Sequence, residues 1–511
     1  MIRPATIGHG GAQLALYLAL GLSAVDITIV NVALPQILRD LHGANADGQW
    51  INDAYSVTIA GFVMLASGLG DRHGRKLLFL SGIALFILGS LVSALASGVG
   101  ALIAGRAVMG LGAAALLPAS LALVSDIFPP EVRPVVIGRW AMVAGAGLAL
   151  GPVLGGLLMS WLSWGAVFMV AVPPLLVAFY AGWRHLPEKT SSAARGADVP
   201  GALLSIVGLG TLVAGLIEGP RLGWESPAIL AMLGTGLAAC AGFVLAELRS
   251  RSPLFDVRIL GNGAVAGAGA AILIAYFVFF AVIMFVPQFL ATMRGYSTME
   301  IGLLMMVPAV AYTVAVSGAS GFLKKSGARA VLLSGSGLAT AGCLLMLLAG
   351  VDSGDAAMML GASLAFAGFG LISAPAASVI MNSLSKEQAG HGSSLFQITR
   401  QAGGTLGIAV LGSLFAEVYS RAITAKLTGL VPAEALETAK GSVAAAYHLA
   451  KAEPSATLSQ SITDAALAAF QSGFGWTLGF SALACAAVVV LVIATVPGEI
   501  AAASAEPVDA G

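Results

Sequence analysis

Three ionisable residues stand inside apolar stretches where charge is costly: Asp26, Asp53 and Arg106. Asp26 lies halfway along the stretch from Leu14 to Leu34. With about twelve residues before it, at roughly 1.5 Å per helical residue, its carboxylate comes near the midplane of a bilayer. A carboxylate there costs on the order of 3 kcal/mol on insertion scales, so it faces a cavity or a partner, and the simplest chemistry open to it is to take up and release a proton. Bonding a neighbouring helix is the plainer alternative. Arg106 supplies a charge that is never given up, a natural partner for a titrating carboxylate, although near a helix end it can also snorkel to the surface. Asp53 follows Trp50 and precedes Tyr55. A carboxylate beside two aromatic rings suits a lipophilic cation, each ring contributing about 0.5–2 kcal/mol. A wet carboxylate capping its helix is the alternative.

The elements that must position these residues are membrane helices. Of 511 residues, 58% are hydrophobic and only 10% charged, a balance foreign to water-soluble globules. Apolar stretches long enough to span begin near residues 14, 50, 77, 101, 137, 166, 201, 227, 264, 301, 330, 357, 394 and 472. Fourteen spans put both termini on one side, and the segments on that side, ending with 386–400, hold seventeen Lys and Arg against seven opposite. The positive-inside rule makes that side cytoplasmic; the expected location is the inner membrane of a bacterium. The first span is too long for a signal peptide and is expected to remain as helix one. Two turns resemble each other, GLGDRHGRKLL and GFLKKSGARAVLL, as expected of an internal repeat. The expected organisation is therefore 6+2+6: a bundle in 1–198, two inserted helices in 199–250, and a second bundle in 251–511. Residues 419–470, Ala-rich with scattered charges, are expected to form an outer lid or spacer of one or two amphipathic helices.

Several motifs then resemble one family. The run Val25-Asp26-Ile27-Thr28-Ile29-Val30-Asn31-Val32-Ala33-Leu34-Pro35 is similar to the LDxTIVNVALP signature of the fourteen-helix drug:proton antiporters of the major facilitator superfamily, an all-α polytopic fold. The turn that includes Asp71, Arg75 and Lys76 resembles the superfamily's GxLaDRxGRk loop, and the resemblance implies a cytoplasmic gate of Asp71, Arg75 and Asp126; a solvated topological anchor is the other reading. Arg106 in LIAGRAVMGLGAAA is similar to RxxQGxGaA, with Met109 at the glutamine, which implies a role with Asp26 in proton coupling. Gly147, Gly151, Pro152, Gly155 and Gly156 match the antiporter motif GxxxGPxxGG. Trp50, Asp53 and Tyr55 resemble the WxxDxYS of exporters of quaternary ammonium compounds, viologens and dyes, which implies that they bind substrate together with Asp26. Arg400-Gln401-Ala402-Gly403-Gly404 resembles an RQxGG motif of helix thirteen, and 253–258 a PLldlrlF turn.

Composition removes other classes. Zero net charge leaves no basic face for nucleic acid, and no GxxxxGK[ST] loop offers a nucleotide site. Cys240, Cys343 and Cys485 lack the spacing of a disulfide framework or a metal site. No cofactor, metal or enzymatic activity is expected. The resemblance implies a monomeric, proton-coupled exporter of lipophilic, cationic small molecules; a narrow exporter of one metabolite or antibiotic is the alternative. Tyr276, Phe277, Phe279, Phe280, Met284, Met305 and Met306 either line its cavity or pack helices and face lipid.

Overall fold

The computed structural model describes residues 10–128, 133–188, 199–250, 257–349, 354–384 and 389–497, with a few side chains inside those stretches, Asp71 among them, outside the described residues. Residues 253–256 of the expected PLldlrlF turn also fall outside. The described chain is helical throughout. Its helices are α1 (Gly10–Asp40), α2 (Asn45–His73), α3 (Arg75–Ala94), α4 (Val99–Ile127), α5 (Arg133–Trp161), α6 (Ala166–Met169), α7 (Val172–His185), α8 (Val199–Leu222) and α9 (Pro227–Arg249). They continue as α10 (Gly263–Met293), α11 (Thr298–Ala349), α12 (Asp355–Asn382), α13 (Ala389–Leu427), α14 (Ala433–Gly441), α15 (Val443–Ala452) and α16 (Ala456–Thr495).

Among the described residues, twelve helical segments are long and apolar enough to cross a membrane. The count takes α6 and α7 as one span, Ala166–His185, and α11 as two, Thr298–Ala319 and Lys325–Ala349. The helices α2 and α5, each 29 residues long, stand outside that count. The perimeter is apolar, with Trp161 83% and Leu348 80% exposed, as acyl chains rather than water require.

The sequence explains where helices stop. The two similar turns both bend on a glycine with positive φ, Gly74 (108°) between α2 and α3 and Gly327 (74°) inside α11. A side chain is disfavoured in that region, so glycine is the residue the turn needs. Pro173 and Pro174 open α7. Asn262 caps α10, its side-chain oxygen accepting from the Ala264 amide at 3.0 Å, and Ser442 caps α15 by accepting from Ala445 at 3.1 Å.

Close helix pairs recur in the chain before α8 and after α9. Between α3 and α4, a methyl group added at Gly89 would stand 2.5 Å from the Met109 amide nitrogen, and one at Gly112 2.5 Å from that of Phe86. Between the second part of α11 and α12 the same holds for Gly342 against the Gly361 carbonyl and Gly368 against the Ala339 amide, both at 2.5 Å. Small residues at such crossings let backbones meet where lipid offers no hydrophobic drive to association.

The segment 419–470 holds the end of α13, the short α14 and α15, and the first turns of α16, which begins at Ala456 rather than near 472. It is packed down: the Tyr419 hydroxyl donates to the Ala439 carbonyl at 3.1 Å, and the rings of His42 and His448 meet edge-on at 5.8 Å. Beneath it, Phe285, Phe289, Phe415, Phe470 and Phe474 interleave α10, α13 and α16, with Phe289 and Phe474 stacked at 4.8 Å.

Candidate functional site

Asp26 sits in the middle of α1, 4% exposed, where the helix passes α4. Arg106 of α4, 1% exposed, donates through Nη1 to Asp26 Oδ2 at 2.6 Å. Its Nε donates to the Ile51 carbonyl of α2 at 3.0 Å, and its guanidinium carbon lies 4.4 Å from the centre of the Tyr55 ring. Met109, standing where the resembled pattern has glutamine, still accepts weakly from Arg106 through its sulfur at 3.8 Å. Snorkelling is thus not what Arg106 does. One charge is shared among α1, α2 and α4, and any change at Asp26 is felt by three helices.

The motif of α5 braces this pair from behind. Gly147, Gly151 and Gly155 recur every fourth residue and so lie on one face, against α1. A methyl group at Gly147 would stand 2.5 Å from the Gly21 carbonyl; at Gly151 it would meet the Thr28 hydroxyl, and at Gly155 it would come within 3.1 Å of Ile29. Thr28 donates to the Leu148 carbonyl at 3.1 Å, tying α1 to α5 two residues past Asp26. Gly156 faces the other way, where an added methyl would lie 2.9 Å from Met299 Cα of α11, and Gly302 of α11 rests on the Pro152 carbonyl. The helix α5 is therefore pressed between α1 and α11. A void of about 10 Å³ remains beside it, lined by Thr28, Asn31, Pro152, Pro287, Met305 and Phe366 among others. It has room for about one water.

Trp50, Asp53 and Tyr55 do not converge on one cage. The Trp50 indole donates to Glu218 Oε1 of α8 at 3.1 Å, and Tyr55 lies under Arg106. Asp53 is fully buried with neither carboxylate oxygen hydrogen-bonded, so it is not a wet cap. One turn before it, Gln49 is likewise buried with an unpartnered carbonyl oxygen, packed on Gly412 of α13. Glu218 was invisible to sequence reasoning because a contact across 168 residues leaves no local signal.

At the opposite end of the helices, Arg75 donates to both oxygens of Asp126 at 2.9 and 3.0 Å. This joins the start of α3 to the end of α4. The third expected member, Asp71, has its side chain outside the described residues. Of the aromatic and thioether candidates, Met305 lines the void, Phe277 packs on Phe480 at 6.4 Å, and Met306 is 38% exposed on the perimeter. Tyr276, Phe279 and Phe280 form a cluster with their ring centres 5.7–6.3 Å apart.

Comparison with known proteins agrees with this architecture. Residues 16–408 match the family model of the Major Facilitator Superfamily. The multidrug resistance protein Stp of Mycobacterium tuberculosis (strain CDC 1551 / Oshkosh) is 36% identical over 426 residues, 82% of this chain and 79% of that protein. The tetracenomycin C resistance and export protein of Streptomyces glaucescens is 33% identical, covering 79% of this chain and 75% of its own. The multidrug efflux pump LfrA of Mycolicibacterium smegmatis is 30% identical over 92% of this chain and 93% of its own. In fold, the chain is similar to an inward-facing, unoccupied bacterial homologue of the human lysosomal transporter Spinster, with a TM-score of 0.68 at 17% identity over 97% of this chain and 99% of that one. The chain belongs to the Major Facilitator Superfamily and stands among its drug efflux transporters, multi-pass membrane proteins that move small molecules across the bilayer.

Proposed function

We propose that the chain is a fourteen-helix, proton-driven exporter of lipophilic cations, working as a monomer in the inner membrane of a bacterium with both termini cytoplasmic. In this reading α2 and α5 cross with the twelve segments above, residues 1–198 and 251–511 form six-helix bundles, and residues 199–250 carry α8 and α9 between them. The surplus of Lys and Arg on the side of the α2–α3 turn supports the orientation.

The observation that carries the proposal is the buried pair of Asp26 and Arg106 at 2.6 Å. A proton reaching Asp26 removes the negative partner and leaves Arg106 charged beside Tyr55 and the Ile51 carbonyl. Losing one partner of a buried pair costs about 3–5 kcal/mol, enough to redirect the packing of α1, α2 and α4. An inward proton supplies about 2.3 kcal/mol per 100 mV of membrane potential, plus the pH term. Deprotonated, Asp26 draws either Arg106 or a cationic substrate, so proton and drug compete for one site. Asp53 is the second acceptor. An ionised carboxylate without partners is expensive to bury, so the seam of α2 against α13 suits the neutral acid and its opening suits the charged one, which then attracts cations on the outer side. The α5 motif sets how closely the halves approach, and Arg75 with Asp126 and Asp71 holds the cytoplasmic gate.

The test is ethidium export driven by a pH gradient in everted vesicles, comparing the intact chain with Asp26→Asn at equal expression. Export by the intact chain and its loss in the variant are expected. Equal export by both sinks the coupling role of Asp26. A second reading, export of one metabolite or antibiotic, is favoured by relatives named for a single compound, such as the tetracenomycin C protein. Failure of the intact chain to move ethidium would favour it.

A further inference from the structure

Arg400 enters the sequence reading as one of the basic residues of segment 386–400 and as the first residue of the RQxGG motif of helix thirteen, with no chemical role given to it. The structure puts it eleven residues past the start of α13, inside the run Ile398–Leu427 that is apolar enough to span. It is thus a residue of a membrane helix rather than of a turn, and an Arg within a span needs a cavity or a partner. Arg106 has a carboxylate, but among the described residues no carboxylate pairs with Arg400. Its guanidinium carbon instead lies 5.8 Å from the centre of the Tyr276 ring. Half-buried between Thr399 and Gln401, which are 8% and 6% exposed, it does not face the lipid perimeter.

Around it three helices bring hydroxyl groups together. Tyr276 of α10 lies 3.2 Å from the Ser373 oxygen of α12 and 3.5 Å from the Tyr312 oxygen of α11. Each of these residues is 9% exposed. Behind them stand the rings of Phe279, Phe366 and Phe369, with Phe279 5.0 Å from Phe366 and 5.4 Å from Tyr312. The helix α10 that carries Tyr276 also packs against α1, which carries Asp26, and α13 packs against α2.

We propose that Arg400, Tyr276, Tyr312 and Ser373 form a second substrate subsite, one that takes the carboxylate or phenolate end of an aromatic molecule. The guanidinium offers a planar fork matched to a carboxylate, the hydroxyls donate to its remaining lone pairs, and the phenylalanines take the ring. The exporter's range then includes aromatic acids, and zwitterions whose cationic end reaches Asp26. The zwitterion clause rests on the cation reading above; the acid subsite does not.

The test is equilibrium binding to the full-length protein in detergent, by fluorescence polarisation, with fluorescein as the acid probe and ethidium as the cation probe. Arg400→Gln is expected to weaken fluorescein at least tenfold and to strengthen ethidium, since a repelling charge leaves the cavity. Arg400→Lys restores part of the fluorescein affinity, and Tyr312→Phe weakens fluorescein about threefold, as one lost hydrogen bond implies. If the intact chain does not bind fluorescein, if Arg400→Gln binds it unchanged, or if that variant weakens both probes alike, the subsite is wrong. If Arg400→Gln does not fold, Arg400→Lys and Tyr312→Phe decide, and no weakening in either overturns it. Fluorescein binding without ethidium binding sinks the cation reading and leaves the acid subsite standing.

Discussion

The helices before α8 and those after α9 share a skeleton and differ at the centre. Both sets turn on one positive-φ glycine, Gly74 or Gly327, and both lock a helix pair by glycines, α3 with α4 and α11 with α12. At the core of the first set lies a closed ion pair, Asp26 with Arg106. The second set holds tyrosine hydroxyls, phenylalanine rings and a guanidinium that, among the described residues, pairs with no carboxylate. Small residues therefore carry the fold twice, while the chemistry is free to diverge because it occupies only a few positions per set. In the reading proposed above, one side responds to a proton and the other holds an aromatic molecule.

The difference is sharpest under truncation. Arg106→Ala leaves Asp26 buried and alone, and should cost about 3–5 kcal/mol, seen as loss of folded protein or a large fall in Tm. The double variant Asp26→Asn/Arg106→Gln should recover most of that stability but no proton-driven export; if it stays as unstable as the single variant, the pair is not what Arg106 is for. Gly302→Val drives a branched side chain into the Pro152 carbonyl, with an expected cost of about 1–3 kcal/mol and export reduced more than binding. If export survives intact, the seam between α5 and α11 does not set the approach of the halves. Phe366→Leu in the second set should cost only about 1.5 kcal/mol or less, because a nearly volume-conserving swap keeps the cluster packed. It should disturb binding of aromatic probes more than stability. Least of all, Trp50→Phe removes one hydrogen bond to Glu218 and should cost about 0.5–1.5 kcal/mol, read as a small shift in Tm. A loss as large as that of Arg106→Ala would place the Trp50 contact, not the ion pair, at the centre of the first set.

Much of this was legible in the sequence, for physical reasons. Apolar runs bounded by polar turns marked the helix starts because the bilayer enforces both length and hydropathy. The pairing of Asp26 with a charged partner followed from the cost of leaving it alone. Where reading by composition went astray, water and lipid gave the same local signal. The last long helix begins at Ala456, well before its apolar run, because the Ser455 cap and the alanines between 465 and 469 form helix without needing lipid. Arg400 was counted with the cytoplasmic charges even though its motif was read into helix thirteen, because charge near a span's end reads as topology; a helical wheel through Arg400, Gln401 and the glycines after them would have set it on the face that meets α10. Asp53 was singled out in the sequence, but its burial without a partner was not, and Glu218 lay beyond sequence reasoning altogether, since burial at the junction of α2, α8 and α13 is decided by distant residues.

The seam of Gly156 and Gly302 bears on how often the machine can run. A closing surface built of side chains must freeze rotamers each time it shuts, about 0.5–2 kcal/mol for every long side chain immobilised. Here backbone meets backbone, with Pro152 already rigid and the glycines carrying no rotamers at all. In the proposed transport cycle, closing this seam orders few rotamers at the Gly156 and Gly302 contacts, and opening it releases few. Repetition over many cycles is favoured by having so little to put in order.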